Sequence, residues 1–378
     1  MKTTTLEPNK DLTKTEKTGF SMLWLADQPR SALAIALCFI VLLLLPWLHL
    51  LPAESSLHLS AYWVTLIGKI MCLALVALAL DLVWGYAGIL SLGHGIYFAL
   101  GGYAFGMYLM REASGPQLPE FMRFLSWNEL PWFWLGTEHF IWALCLVVLI
   151  PGLIAFIFGY FAFRSKIKGV YFSIITQAMT FAAALLFFRN ETGFGGNNGF
   201  TGFKTILGMD ITSAPMRASL CFITALLLLL CFVGLRYLLR QPYGRVLGAI
   251  RDSENRLQYL GYRTLWYKLS AWVLSAVIAG IAGALYVPQA GIINPSEMNP
   301  VNSIEMAVWV AAGGRGTLIG PILGAGVING VKTYFTVAYP EIWLLILGGL
   351  FIVVTLFLPK GLIGLFDRFK KNNTEHNP

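Results

Sequence analysis

Charge is scarce in this chain. Of its 378 residues 12% are Asp, Glu, Lys or Arg, while 57% are hydrophobic. A soluble domain carries about twice that charged fraction, so a water-facing globule is excluded. Cysteine is also sparse. Cys38, Cys72, Cys145, Cys221 and Cys231 all lie in apolar stretches, and no C-x-x-C occurs. The odd count and the spacing speak against a disulfide framework and a zinc site, leaving five small apolar packing residues. There is no G-x-x-x-x-G-K-[ST] phosphate loop, so any ATP hydrolysis belongs to another chain. There is no H-E-x-x-H, and His94 has no nucleophile near it in sequence beyond Ser91, which leaves an intramembrane enzyme unsupported. No metal or cofactor is expected. Residues 1–30 hold no apolar run, so no cleavable signal peptide is expected either.

What the chain has instead is long apolar runs, with a mean hydropathy of +0.68. A spanning helix needs about 20 mostly apolar residues. Such stretches occur near 31–51, 62–83, 87–110, 139–163, 169–188, 218–238, 269–290 and 341–358. The stretch 302–336 is too long for one span and is broken by "GGRG"; it reads as two further elements, one of them short. The expected fold is therefore an all-α polytopic membrane protein of about ten elements, with eight or nine as the alternative count. Residues 1–30 form a floppy arm, 31–358 the membrane domain and 359–378 a tail.

The net charge of +8 is explained by topology. The loop 164–168 has three basic residues, the loop 239–268 six basic against two acidic, and the tail four against two. The loop 111–138 has two basic against four acidic, and its "FMRFLSWNELPWFWL" resembles an interfacial aromatic belt. By the positive-inside rule these features are satisfied by an even span number with both termini cytoplasmic. Nucleic-acid binding is not implied.

Glycine is plentiful and clustered. Gly102 and Gly106 make a G-x-x-x-G pair, Gly316, Gly320 and Gly324 a double one, and Gly326 with Gly330 another. Such pairs let membrane helices approach closely. The two Gly-rich zones lie in opposite halves, hinting at an internal duplication. "GYAGILSLGHG" is too rich in glycine for a plain helix, and a broken or re-entrant segment is expected there. Polar groups at membrane depth are costly and usually face a bundle interior or a polar path. Asp81, His94, Gln177 and Glu305 stand out, with Ser91, Asn197 and Asn198 near the same Gly-rich breaks. Asp81 fits a capping role as well as a path; His94 and Gln177 fit hydrogen-bonded packing; Glu305 fits an interfacial position.

The stretch "QPYGRVLGAIRDSENRLQYLGYRTLWYKLSAW", residues 241–272, reads as a short helix, a break, a second short helix and a return to the membrane. Val246, Leu247 and Ile250 form an apolar stripe suited to docking on a partner, or to lying on lipid headgroups. Asp252 or Ser253 can cap the second helix, and Gly261 can end it.

"GRVLGAIRDSENRLQYLGY" resembles the cytoplasmic coupling loop of branched-chain amino acid type ABC permeases, with Gly244, Arg245, Ala249, Ile250, Arg251, Asp252, Glu254 and Gly261 at the matching positions. Gly248 replaces the basic residue usual before "AIRD". "GYAGILSLGHGIYFALGGYAFGMYLM" resembles the family's "GYxGxLSLGHG" segment, although the family generally has Asn where this chain has Asp81. "GFGGNNGFTGFK", "GIINPSEMNPVNSIEMAVWVAAGGRGTLIGPILGA" and "LPKGLIGLF" are similar to the urea-permease, LivM-like branch of that family. The resemblance spans about residues 60–366. It implies a homologous second permease, two cytoplasmic ATPase subunits, a periplasmic binding protein and a bacterial inner-membrane location. Urea or a short amide is the substrate expected, with branched-chain amino acids as the alternative and a passive solute channel as a third reading. The membrane part offers acids and few basic residues besides Arg315, which favours a neutral substrate over a zwitterion.

Overall fold

The computed structural model of the chain describes residues 29–52 and 54–339, with positions 341, 342, 345, 348, 349, 352 and 361–364 beyond them. In chain order the helices are α1 (Pro29–Leu44), α2 (Ala61–Asp81), α3 (His94–Ser114), the short α4 (Glu120–Phe124), α5 (Phe140–Arg164), α6 (Val170–Phe187), α7 (Ala214–Arg240), α8 (Pro242–Tyr259), α9 (Thr264–Ala290), α10 (Pro300–Gly313) and α11 (Ile319–Ala338). Among the described residues, six apolar runs are helical and long enough to cross a membrane: Ala32–Leu50, Ala61–Tyr86, Phe140–Arg164, Val170–Phe187, Ala214–Arg240 and Thr264–Ala290. Helices α3, α10 and α11 pack among them. The expected span 341–358 lies mostly outside the described residues.

A helix that is apolar all round must be buried. Helix α2 is such a helix, and every residue from Ala74 to Leu80 is buried. It packs on α7, α9, α10 and α11, and α9 packs in turn on α3 and α5. By contrast α1, α5 and α6 turn much of their apolar surface outward, including Leu37, Ile40, Leu149, Leu153, Ile174 and Phe181.

Small residues set the closest crossings. A Cβ on Gly101 of α3 would stand 2.0 Å from the Gly280 carbonyl oxygen of α9, and one on Gly283 would stand 1.8 Å from the Phe98 carbonyl oxygen. On the other face of α9, a Cβ on Gly280 would meet the Pro151 ring of α5 at 2.7 Å. Gly102 and Gly106 make room instead for side chains, those of Ile293, Val287 and Phe200. Gly313, Gly320 and Gly324 bring the α10 and α11 backbones together. Gly316 does not belong to that stripe. It precedes α11 with φ +76°, so the expected double motif is a single pair on the helix. Nothing described lies within 4 Å of a Cβ placed on Gly326 or Gly330.

The ends of the bundle differ. One end gathers residues 85–93, 165–169, α8 and the turn 314–318. The other gathers 115–139, 188–213 and 291–299, where the strands β1 (Phe200–Thr201) and β4 (Ile292–Ile293) pair antiparallel and β2 (Thr205–Ile206) and β3 (Met209–Asp210) form a hairpin. The expected span 87–110 starts as a helix only at His94, because the Gly-rich segment before it is a connection at the first end. Helix α2 finishes in a π-turn, Leu82–Tyr86, and residues 87–93 run on without helix. The backbone groups freed there find side chains of α6: Leu92 N–H donates to Thr176 Oγ1 at 3.1 Å, and Ser173 Oγ donates to the Leu90 carbonyl at 2.9 Å. Peptide groups outside a helix at this depth require such partners.

Candidate functional site

Asp81 ends α2 with no exposed surface. Its two carboxylate oxygens accept the backbone N–H of Gly316, at 2.6 Å, and of Leu318, at 3.1 Å. The carboxylate therefore ties the "GGRGTL" turn between α10 and α11 to α2, and of the two roles open to it this geometry is the capping one. Arg315, on the same turn, lies 5.7 Å from the Trp84 ring centre.

His94 is equally enclosed. Its Nε2 lies 2.7 Å from Ser275 Oγ and its Nδ1 lies 2.8 Å from Ser91 Oγ. Ser275 spends its own proton on the Ala79 carbonyl at 2.5 Å, so it must accept from the ring. Ser91 Oγ accepts Gly93 N–H and is left to donate to Nδ1. The network assigns the proton to Nε2. Tyr97 and Trp272 meet the ring edge-on. His94 thus locks α3 to α9 and α2.

Glu305 is enclosed by protein. It is buried on α10, and Lys332 of α11 donates to both its carboxylate oxygens at 2.8 and 2.9 Å. The Lys332 side chain keeps 36% of its surface exposed. Glu297 lies within electrostatic reach of both. Sequence reading passed over Lys332; a cation 27 residues from its partner gives no local signal. Beside Arg315, the basic residue expected in the membrane part, Lys332 is a second one, partly buried on α11. Gln177 is half-buried on α6, and Asn197 and Asn198 are exposed on the 188–213 connection.

Helix α8 is broken at Ser253 (φ −163°, ψ 89°) and stops at Gly261 (φ +87°). At the break, Asp252 accepts from Arg251 Nε at 3.1 Å. The apolar stripe does not face outward for a partner. Leu247 and Ile250 are buried in the same core as α2 and α7, because burial of that face against the protein's own helices is available. Gly244 fits directly against the Leu239 carbonyl, where a Cβ would stand 2.0 Å away. Arg251 Nη1 donates to the Gly85 carbonyl at 2.9 Å. Glu254 is held by Lys168 at 2.8 Å, Lys268 at 2.6 Å and the Thr264 hydroxyl at 3.0 Å. Exposed residues of this segment include Arg245, Ala249, Arg251, Asp252, Arg256 and Tyr259.

Burial alone would raise the Glu254 carboxyl. The hydrogen bonds from Lys168 and Lys268, the Lys268 charge and Thr264 outweigh it and hold the group below its ordinary value. A carboxylate lowered in the folded state stabilises fully above its unfolded value and loses that contribution as pH falls through the folded one. Acidification through and below the usual carboxylate range should therefore loosen the attachment of α8. In detergent, thermal stability of the unaltered protein is expected to fall more steeply over that range than that of Glu254→Gln. Parallel acid limbs would show that the clamp contributes nothing.

Two hollows touch opposite ends of α2 and α9. One, of about 320 Å³, lies at the α8 end between Gly88, Lys168, Arg251, Glu254 and Lys268. The other, of about 200 Å³, lies at the far end among Thr65, Thr212, Arg217 and Gln289. The stretches of α2 and α9 between them, around Ala79 and Ser275–Ala279, are mostly closed. No cluster of His, Cys, Asp and Glu able to hold a metal occurs among the described residues.

Apolar helices of spanning length, an ion pair between α10 and α11 and a broken helix clamped across one end describe a multi-pass membrane protein. The chain belongs to the family described as branched-chain amino acid transport system / permease component, which it matches over residues 62–355. It is 26% identical over 315 residues to the high-affinity branched-chain amino acid transport system permease protein LivM of Salmonella typhimurium, covering 78% of this chain and 68% of that one. It is 24% identical over 321 residues to a probable branched-chain amino acid transport permease protein LivM of Methanocaldococcus jannaschii, covering 76% and 89%. A shorter likeness, 31% over 118 residues, covering 30% of this chain and 35% of that one, links it to the autoinducer 2 import system permease protein LsrC of Photorhabdus laumondii. No solved structure matches the chain. It is a permease component of the inner membrane and not an enzyme.

Proposed function

We propose that the chain is one permease subunit of an ATP-driven importer for small solutes without net charge, urea or a short amide first. The observation that carries this reading is the Glu305–Lys332 pair. A half-exposed ammonium on a buried carboxylate is costly against lipid and suits a polar path or a subunit boundary. The N–H and oxygen atoms of the pair match the carbonyl and amide groups of urea, with the Glu297 carboxyl as a further acceptor within electrostatic reach. The resemblance of "GFGGNNGFTGFK" and the 291–325 segment to urea permeases points the same way. Branched-chain amino acids are the second reading. The LivM proteins are named for them, and an ammonium beside a carboxylate also suits a zwitterion.

In this reading the basic end is cytoplasmic, both termini lie there, and about ten elements span the membrane, with the two Gly-rich zones as relics of a duplication. The outward face of α8 meets an ATPase subunit, of which the complex holds two. A homologous permease completes the membrane part, and a periplasmic protein delivers substrate to the end bearing Asn197 and Asn198. The test is uptake of labelled urea against labelled leucine by the reconstituted complex with its binding protein. ATP-dependent urea uptake is the expected result. Leucine uptake alone would move the assignment to the second reading, and ATP-independent flux would leave a passive channel.

A further inference from the structure

We infer that the π-turn at the end of α2 is the joint through which α8 moves the α10–α11 hairpin, with Arg251 and Asp81 as the positioning residues on its two sides. The inference rests on the import reading above. The last carbonyls of a helix have no partner further along. At the end of α2 the Gly85 carbonyl is one of these, and it takes the Arg251 guanidinium at 2.9 Å. The Arg251 stem crosses the same turn, so close that a Cβ on Gly88 would stand 2.7 Å from its Cγ. Four residues before Gly85, and so on the same face, Asp81 holds Gly316 and Leu318. Between these two grips Gly85 leaves no room: a Cβ there would stand 2.5 Å from Gly316 N and 2.3 Å from Asp81 Oδ1. One helical turn thus touches α8 through the Arg251 side chain on one side, and the hairpin through the Asp81 carboxylate and the Gly85–Gly316 backbone approach on the other.

Both neighbouring segments are built to change shape. A π-turn is an over-wide turn, seen mostly at functional positions. Opposite it, Leu318 has φ +60° and ψ −43°, and Ile319 N–H donates to the Thr317 carbonyl at 2.8 Å. That is a γ-turn of the positive-φ kind, which is rare and strained for a residue with a Cβ. Asp81 Oδ2 is the side-chain acceptor on the strained residue's N–H. A displacement of Arg251 pulls the Gly85 carbonyl, shifts Gly316 with it, and changes the hold of Asp81 on the strained turn. The hairpin that responds carries Glu305 and Lys332, on the interior face of the proposed path.

The test uses the full complex with its ATPase subunits and binding protein, and the labelled solute that the unaltered complex carries. The readout is solute moved per ATP hydrolysed. Arg251→Met keeps the stem over Gly88 and removes the donor; it is expected to lower that ratio about tenfold, within the span usual for coupling between sites. Arg251→Lys, which keeps a cationic donor, should recover part of it. An unchanged ratio in Arg251→Met would overturn the inference. A second measurement does not depend on any variant: amide exchange at Gly316 and Leu318 in the unaltered complex should change when ATP is bound, together with α8. Amides that respond at α8 and not at 316–318 would equally overturn it. An unaltered complex without ATP-dependent uptake would instead fail at the import reading itself.

Discussion

Gly283→Ala is expected to abolish recovery of folded protein in detergent, whereas Gly234→Ala is expected to leave it unchanged or slightly improved. The two glycines sit in long apolar helices and look alike in sequence. At Gly283 the added methyl would stand 1.8 Å from the Phe98 carbonyl oxygen and 3.1 Å from Gly102 N. Neither contact is the tip of a flexible side chain, so α3 and α9 would have to separate. Ala279, Ala282 and Phe98 at that crossing are buried and would lose contact with the opposite surface. Overpacking of a well-filled core costs about 1–3 kcal/mol, and more where only backbone can give way. Membrane helices depend on such packing because no hydrophobic gain offsets its loss. Gly234 meets nothing within 4 Å, so alanine there should gain only its helix preference, about 1 kcal/mol in water. Size-exclusion profiles and thermal aggregation of the two purified variants decide the matter. Equal yields would show that α3 and α9 can slide apart without penalty.

The contrast marks what the sequence can disclose. Apolar runs gave the long helices because a membrane imposes one solution on such runs. The break in the 241–272 loop was legible from Asp252, Ser253 and Gly261, residues whose local preferences interrupt a helix. Which glycines touch backbone was not legible: Gly101 and Gly280 meet backbone to backbone and follow no G-x-x-x-G spacing between them, since they lie on different helices. The role of Asp81 was only half legible. An acid at the end of a span suggested a cap, but the N–H groups it holds lie 235 and 237 residues away. The direction of the α8 stripe was misread for a similar reason. An apolar face states that it must be covered; it does not state by which chain.

Glu305→Gln is expected to cut uptake about tenfold or more while the complex still assembles, an effect in the range of losing a buried charged partner. The substitution keeps shape and one carbonyl acceptor, and leaves Lys332 without its counter-charge. Removing one member of a fully buried pair costs about 3–5 kcal/mol. Here the ammonium keeps a third of its surface exposed, so solvation offsets part of the loss, and about 1–3 kcal/mol is the expected destabilisation. Lowered stability alone would explain a modest fall in uptake, so the single variant does not separate a structural pair from one that lines a path. The double variant Glu305→Gln, Lys332→Gln does. It removes both charges together and leaves no orphaned ammonium. If the pair only joins α10 to α11, the double variant should regain both stability and uptake. If the pair serves the solute, stability should return and uptake should not, because the carboxylate acceptor and the strong N–H donor are both gone. Comparing urea with leucine in the same vesicles adds the substrate to the test. A zwitterion would lose two ion pairs in the double variant, whereas urea, which carries no charge of its own, would lose two hydrogen bonds to ionised groups, so leucine uptake should fall further than urea uptake. Full uptake by the double variant would remove Glu305 and Lys332 from the path and leave them as a clasp between two helices.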